Sequence, residues 1–128
     1  MRVLFVDDEP LNRKVVAVML EACGVEMAEA SDAATGLRMI DAEPFDVVLM
    51  DLRMPGTDGL TAIRSIRART DERSFLPVVL VTADTSLDLP ERASSAGADA
   101  LVRKPVAMTE LFDAMAAAMA AHEQLVLS

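Results

Sequence analysis

The sequence predicts an α/β fold of the doubly wound kind, and three observations predict it. Apolar runs of strand length recur five times in 128 residues; stretches with helical apolar spacing follow each of them; and the joints are short, marked by Pro, Gly or acidic residues. The first run, Val3-Leu4-Phe5-Val6, is continuous rather than alternating, as a strand buried on both faces of a parallel sheet should be. Pro10 can open a helix, in which Leu11, Val15, Val18, Met19 and Ala22 repeat at helical spacing until Gly24. Val25 to Ala30 reads as a weaker, partly alternating strand, and Ser31 is offered as N-cap to a helix carrying Ala34, Leu37 and Ile40. After the turn at Glu43-Pro44, Asp46 to Met50 is the third strand. Past the Pro55-Gly56 loop, Leu60, Ile63 and Ile66 define a helix with Arg64, Arg67 and Arg69 on its solvated side. Pro77 to Thr82 is a fourth, apolar strand ending in a hydroxyl. A short helix is expected near Leu87 to Ala96, stopped by Gly97. Asp99 to Val102 is the fifth strand, and Met108, Leu111, Phe112, Met115, Ala118 and Met119 form the face of the last helix.

Five strands alternating with five helices on short connections give a (βα)5 sandwich with right-handed crossovers. The flavodoxin-like strand order 2-1-3-4-5 sets the first and third strands side by side at the topological switch point, where such folds bind ligands. The expected domain is residues 1–122, followed by a C-terminal tail at 123–128. The start at Met1, directly before the first strand, fits a free-standing protein. Output through association, through phosphorelay or through a larger parent protein stays open.

Composition narrows the function classes. A hydrophobic fraction of 52% supports a core without disulfides, and the single cysteine, Cys23, is expected as a buried thiol at a helix end. No apolar stretch reaches the roughly 18 to 20 residues a membrane span needs, and no signal-peptide pattern is present, so a soluble, cytoplasmic protein without membrane insertion is expected. With 21 acidic against 12 basic residues the net charge is −9, which repels phosphate backbones; Trp and Tyr are absent, so stacking platforms are lacking too. Nucleic acid is therefore not expected as a direct partner. The nine methionines follow helical faces and are assigned to core filling rather than to copper. His122, the lone histidine, is expected on the surface.

Chemistry concentrates at strand ends. Asp7 and Asp8 close the first apolar run and Asp51 closes the third. Three carboxylates brought together repel one another and raise one another's pKa, so the cluster calls for a hard cation such as Mg²⁺. Thr82 ends the fourth strand and Lys104 follows the fifth, so all five groups lie along one edge of the sheet. With Mg²⁺ and Lys104 neutralising equatorial oxygens and Thr82 donating a hydrogen bond, Asp51 is a credible phosphoryl acceptor forming an acyl phosphate. Asp58, before Gly59, is read as a cap or turn former, and Glu9 as either a site neighbour or a helix-start residue.

Four segments in order, Val6-Asp7-Asp8-Glu9, Met50-Asp51-Leu52-Arg53-Met54-Pro55-Gly56-Thr57-Asp58-Gly59, Val81-Thr82-Ala83, and Gly97-Ala98-Asp99 leading to Lys104-Pro105, resemble the receiver domain of two-component response regulators. The resemblance covers essentially the whole chain. It implies that Asp51 accepts a phosphoryl group from a phosphohistidine donor, either a histidine kinase or a histidine phosphotransfer protein. It implies Mg²⁺ bound by Asp8 directly, by Asp7 mainly through water, by Asp51 and by the main-chain carbonyl of Arg53. Thr82 and Lys104 would contact the phosphoryl oxygens, and Lys104-Pro105 would be cis. A downstream protein would bind the face made by the fourth helix, fifth strand and fifth helix, making the chain a switch rather than an enzyme with a separate substrate. Leu101 departs from the family where an aromatic switch residue usually sits. Arg53 and Asp84 occupy positions that flank the attacking water, where opposite charges can pair. The alternatives are a degenerate receiver acting as a phosphorylation-independent interaction module; an aspartyl-phosphate phosphatase, which would need an acid where Arg53 stands; and a flavin binder, which would need a phosphate loop where the acids stand.

Overall fold

In the computed structural model of the chain, the backbone of residues 1–127 and the side chains of residues 1–123 are described. The strands are β1 (Arg2–Val6), β2 (Glu26–Ala30), β3 (Val47–Asp51), β4 (Val78–Thr82) and β5 (Ala100–Arg103). The helices are α1 (Pro10–Ala22), α2 (Ala33–Ala42), α3 (Gly59–Arg67), α4 (Leu89–Ala96) and α5 (Met108–Leu127), with one 3-10 turn at Glu72–Phe75. The sheet is parallel throughout, in the order β2-β1-β3-β4-β5. The doubly wound architecture is thus the expected one. Residues 123–127 prolong α5.

The period of two along each strand divides the core into two layers. Leu4, Val6, Val48, Met50, Val78 and Leu80 point to one face, where Ile40 of α2, Ile63 and Ile66 of α3, and Leu89 and Ala93 of α4 cover them. Val3, Phe5, Val47, Leu49, Val79 and Val81 point to the other, covered by Val16 and Leu20 of α1 and Leu111, Met115 and Ala118 of α5. The central strands β3 and β4 are buried at every position, which explains their unbroken apolar runs. Each fully buried Leu or Ile contributes about 1.5–3 kcal/mol.

Several local expectations are corrected. In α1 the core-facing pair is Val16 and Leu20, whereas Leu11, Val15 and Val18 are 69%, 42% and 60% exposed. Two apolar stripes share this helix, and periodicity alone does not say which one the sheet receives. The N-cap of α2 is Asp32, whose Oδ1 accepts from the Thr35 amide at 2.7 Å, not Ser31, and the buried small residue is Ala33, not Ala34. Cys23 is exposed. It is the C-cap of α1, where the chain turns so that the Val25 amide reaches back to the Leu20 carbonyl at 2.9 Å, and the thiol is carried away from the core.

Arg67 and His122 are not free surface groups either. The Arg67 guanidinium donates to the carbonyls of Gly97 (2.9 Å), Ser74 (2.9 Å) and Leu76 (2.6 Å) and to Asp99 Oδ2 (2.9 Å). Asp99 Oδ2 also accepts from the Val78 amide at 2.9 Å and lies 2.8 Å from His122 Nε2. Loop carbonyls and one carboxylate at the foot of β4 and β5 thus draw in both side chains, Arg67 from α3 and His122 from α5. Gly97 closes α4 at φ 109°, and a side chain there would strike the Arg67 stem at 2.5 Å. Burial holds the Arg67 pKa below its ordinary value, against the opposing pull of Asp99.

The burial pattern of α1 predicts unequal costs for neighbouring truncations. By urea denaturation, Leu20→Ala, at a fully buried position, should lose about 2–5 kcal/mol, and Val18→Ala less than about 0.5 kcal/mol. Equal losses would contradict the placement of the two stripes.

Candidate phosphoacceptor and metal site

The ladder registers assemble the site step by step. Val6 pairs with Met50 across β1 and β3, so Asp7 and Asp51, each one residue further on, stand side by side. Asp51 pairs with Val81 across β3 and β4, which puts Thr82 one step beyond Asp51. Thr82 pairs with Arg103, so Lys104 emerges one step later again. The predicted residues Asp7, Asp8, Asp51, Thr82 and Lys104 therefore converge at the carboxyl end of the sheet. There Asp8, Asp51, Arg53, Thr82 and Lys104 line a cleft of about 540 Å³ together with Glu9 and the residues that follow Thr82.

Carboxylate oxygens of Asp7, Asp8 and Asp51 lie within 4.8 Å of one another. Asp7 is fully buried and Asp51 is 4% exposed. Lys104 Nζ sits between them, 2.9 Å from Asp7 Oδ2 and 3.2 Å from Asp51 Oδ1. The Asp51 carboxyl is pushed above its ordinary value, first by burial and then by the charge of Asp7, with Lys104 opposing. Burial lowers the Lys104 pKa, but the hydrogen bond to Asp7 and the charge of Asp51 outweigh it, so the ammonium holds its proton more firmly than usual. An oxygen-only donor set with surplus negative charge fits a hard divalent cation.

Residues outside the predicted set hold the site in shape. Arg13 Nη1 donates to the Asp7 carbonyl at 2.6 Å and its Nε to Glu29 Oε1 at 3.1 Å, fixing the turn that carries the acidic pair. The Glu9 amide donates to Asp7 Oδ1 at 2.8 Å. Asp58 is an N-cap as expected, its Oδ1 accepting from the Thr61 amide at 2.8 Å. Gly59 lets the start of α3 come against the end of β3: its amide donates to the Leu52 carbonyl at 2.8 Å, and a Cβ would lie 2.1 Å from the Asp51 carbonyl oxygen. The Asp-Gly pair suggests only a turn, and Arg13 stands too far along the chain from Asp7 for any spacing rule to pair them. The peptide bond Lys104-Pro105 is cis.

At the mouth, Arg53 Nη2 and Asp84 Oδ2 are 2.6 Å apart, bridging the loops after β3 and β4. The Asp84 carboxyl is held well below its usual range, by hydrogen bonds from Ser86 and then from Arg53. Thr82 is 2% exposed, and its Oγ1 accepts from the Asp84 amide at 3.0 Å.

A parallel five-stranded sheet presenting an acidic trio, a lysine and a threonine at one edge defines a receiver module of signalling proteins. The family model described as the response regulator receiver domain matches residues 3–116, and the chain belongs to that family. Among curated relatives, the chemotaxis protein CheY of Pseudomonas aeruginosa is 38% identical over 107 residues, 82% of this chain and 85% of that protein. The sensor protein GacS of Pseudomonas syringae is 38% identical over 112 residues, 86% of this chain and 12% of GacS. The chain thus spans about an eighth of the length of that sensor protein. A solved response regulator receiver domain protein from Clostridium thermocellum superposes with a TM-score of 0.85 at 30% identity, covering 97% of this chain and 98% of that one. Receiver domains of two-component systems are signalling switches, not enzymes of the usual kind.

The raised Asp51 pKa has a consequence for stability. The stabilising contribution of the protonated carboxyl is full below the unfolded value of 3.8 and is lost as pH rises through the higher folded value. In metal-free buffer, Asp51→Asn should therefore melt above wild type at neutral pH, and the difference should vanish as pH falls below that range. Calorimetry at a series of pH values checks this; a variant less stable than wild type at neutral pH would contradict it.

Proposed function

We propose that the chain is a phosphorylation-dependent switch that accepts a phosphoryl group on Asp51 from a phosphohistidine of a histidine kinase or histidine phosphotransfer protein. The observation that carries this reading is the convergence of three carboxylates within 4.8 Å on an ammonium that touches two of them. One Asp51 carboxylate oxygen forms the new O–P bond as the P–N bond of the donor breaks, leaving the electron pair on the imidazole nitrogen. Asp7, Asp8, Asp51 and the Arg53 carbonyl would hold Mg²⁺, which supplies charge neutralisation for the phosphoryl oxygens. Lys104, released from bridging Asp7 and Asp51, neutralises an equatorial oxygen, and the Thr82 hydroxyl donates to another. Burial of Asp51 keeps bulk water from competing at the carboxylate.

The exposed stripe Leu11, Val15 and Val18 runs along α1 from the edge of the cleft and suits the donor's apolar contact. A downstream protein then binds the face of α4, β5 and α5. A cytoplasmic setting, without direct contact to nucleic acid, belongs to the same reading and fits the net charge of −9. No helix among the described residues is long and apolar enough to cross a membrane.

Incubation with acetyl phosphate and Mg²⁺ should add the mass of one phosphoryl group to wild type and nothing to Asp51→Ala or to metal-free protein, by intact mass spectrometry. Absence of any gain, also with a phosphohistidine donor, would favour a phosphorylation-independent interaction module. The Arg53–Asp84 bridge narrows the approach of water to the acyl phosphate. Arg53→Ala and Asp84→Ala should each speed phosphoryl loss by about two- to fivefold, the scale of a partly exposed ion pair, in a dephosphorylation time course. Unchanged rates in both would reject a gating role.

A further inference from the structure

Residue 84 is a junction whose main chain the phosphoacceptor reading does not use. Its amide donates to Thr82 Oγ1 at 3.0 Å, its carboxylate receives Arg53, and its main-chain carbonyl accepts a hydrogen bond from the Arg103 guanidinium. The same carboxylate accepts from the Ser86 amide at 2.8 Å, so residues 84 to 86 form a closed turn that moves with residue 84. Arg103 itself is anchored in the sheet: it is the last residue of β5, it pairs in register with Thr82, and the following amide, Lys104, donates to the Thr82 carbonyl at 2.8 Å.

We propose that Arg103 is the positioning residue that passes the state of Thr82 to the β5–α4 face, because its guanidinium holds the carbonyl of the residue whose amide is bonded to the Thr82 hydroxyl. The inference rests on the phosphoacceptor reading above. A hydroxyl can donate and accept at once, so Thr82 can donate to a phosphoryl oxygen while still accepting from the Asp84 amide. Drawing Oγ1 toward the acceptor then draws residue 84 with it, and the Asp84 carbonyl moves relative to the guanidinium. The hydrogen bonds run from the phosphoryl group through Thr82 and Asp84 to Arg103, linked by the displacement of residue 84 as a unit.

The placement of Arg103 gives this link a readable end. Side chains alternate along β5, so Arg103 shares a face with Leu101, which packs on the α4 side of the core, whereas Val102 packs on the α5 side. Leu101 carries no polar group with which to hold the loop. The loop itself leads into α4 and presents Leu87, which is fully exposed. A shift of residue 84 therefore alters both the position of an exposed apolar side chain and the tether of β5. The parallel Arg53 bridge ends at the surface: its guanidinium side chain is 78% exposed and its attraction is screened by water.

The test uses Mg²⁺ with beryllofluoride as a phosphoryl mimic on the full chain, followed by NMR of the Leu101 methyl groups and the amides of 83–96. The variants are Arg103→Gln, which keeps a neutral donor on a shorter stem, and Arg103→Lys, which keeps the charge and most of the length. Wild type should show mimic-induced shifts both in the loop and at Leu101 and α4. In Arg103→Gln the mimic should still bind and move Thr82, but the shifts at Leu101 and α4 should fall about threefold or more, with partial recovery in Arg103→Lys. Equal shifts in Arg103→Gln and wild type at saturating mimic would overturn the role of Arg103 and leave the phosphoacceptor reading intact. Failure of the mimic to bind wild type would overturn the reading itself, and this inference with it.

Discussion

Packing three carboxylates at the end of a buried sheet is the constraint around which the rest of the molecule is arranged. Asp7 is fully buried and Asp51 nearly so, and their repulsion is tempered by one ammonium, Lys104, which touches both. Such an arrangement costs stability, since burial and the neighbouring charge already push the Asp51 carboxyl upward. The cost is offset by a core whose two central strands are buried at every position. A pocket of this charge favours a hard cation.

Holding like charges together demands a rigid surround. Arg13 ties the turn after β1 to β2, Gly59 admits α3 against the end of β3 where any side chain would collide, and Asp58 closes the helix start. On the other flank, the loop after β4 is held through residue 84 by Thr82, Arg53 and Arg103. The first group fixes the backbone around Asp7 and Asp51. The second group is three side-chain hydrogen bonds that meet at one residue, two of them partly buried and one exposed.

Much of this was legible in the residues. Unbroken apolar runs ending in acids located the strands and, through the parallel topology, the convergence of Asp7, Asp8, Asp51, Thr82 and Lys104, because strand ends carry their side chains wherever the sheet places them. What stayed hidden depends on choices between near-equal local options. In α1 the stripe Leu11, Val15 and Val18 competes with Val16 and Leu20, and only the docking of the helix decides between them. Ser31 and Asp32 are both good caps, and the start of α2 selects the second. Arg67 and His122 leave the surface because Asp99 and three loop carbonyls need donors, a demand that exists only once the chain has folded. The contacts of Arg13 with Asp7 and Arg103 with Asp84 are long-range pairings of the same kind.

The most direct test of the account is a high-resolution crystal structure of the chain grown with Mg²⁺ and beryllofluoride. The account predicts a fluoroberyllate bonded to Asp51, a cation among Asp7, Asp8 and Asp51, and Lys104 turned from Asp7 to a fluorine, with the Thr82 hydroxyl on another. A structure in which Asp51 carries nothing and Lys104 still bridges Asp7 and Asp51 at saturating mimic would contradict it.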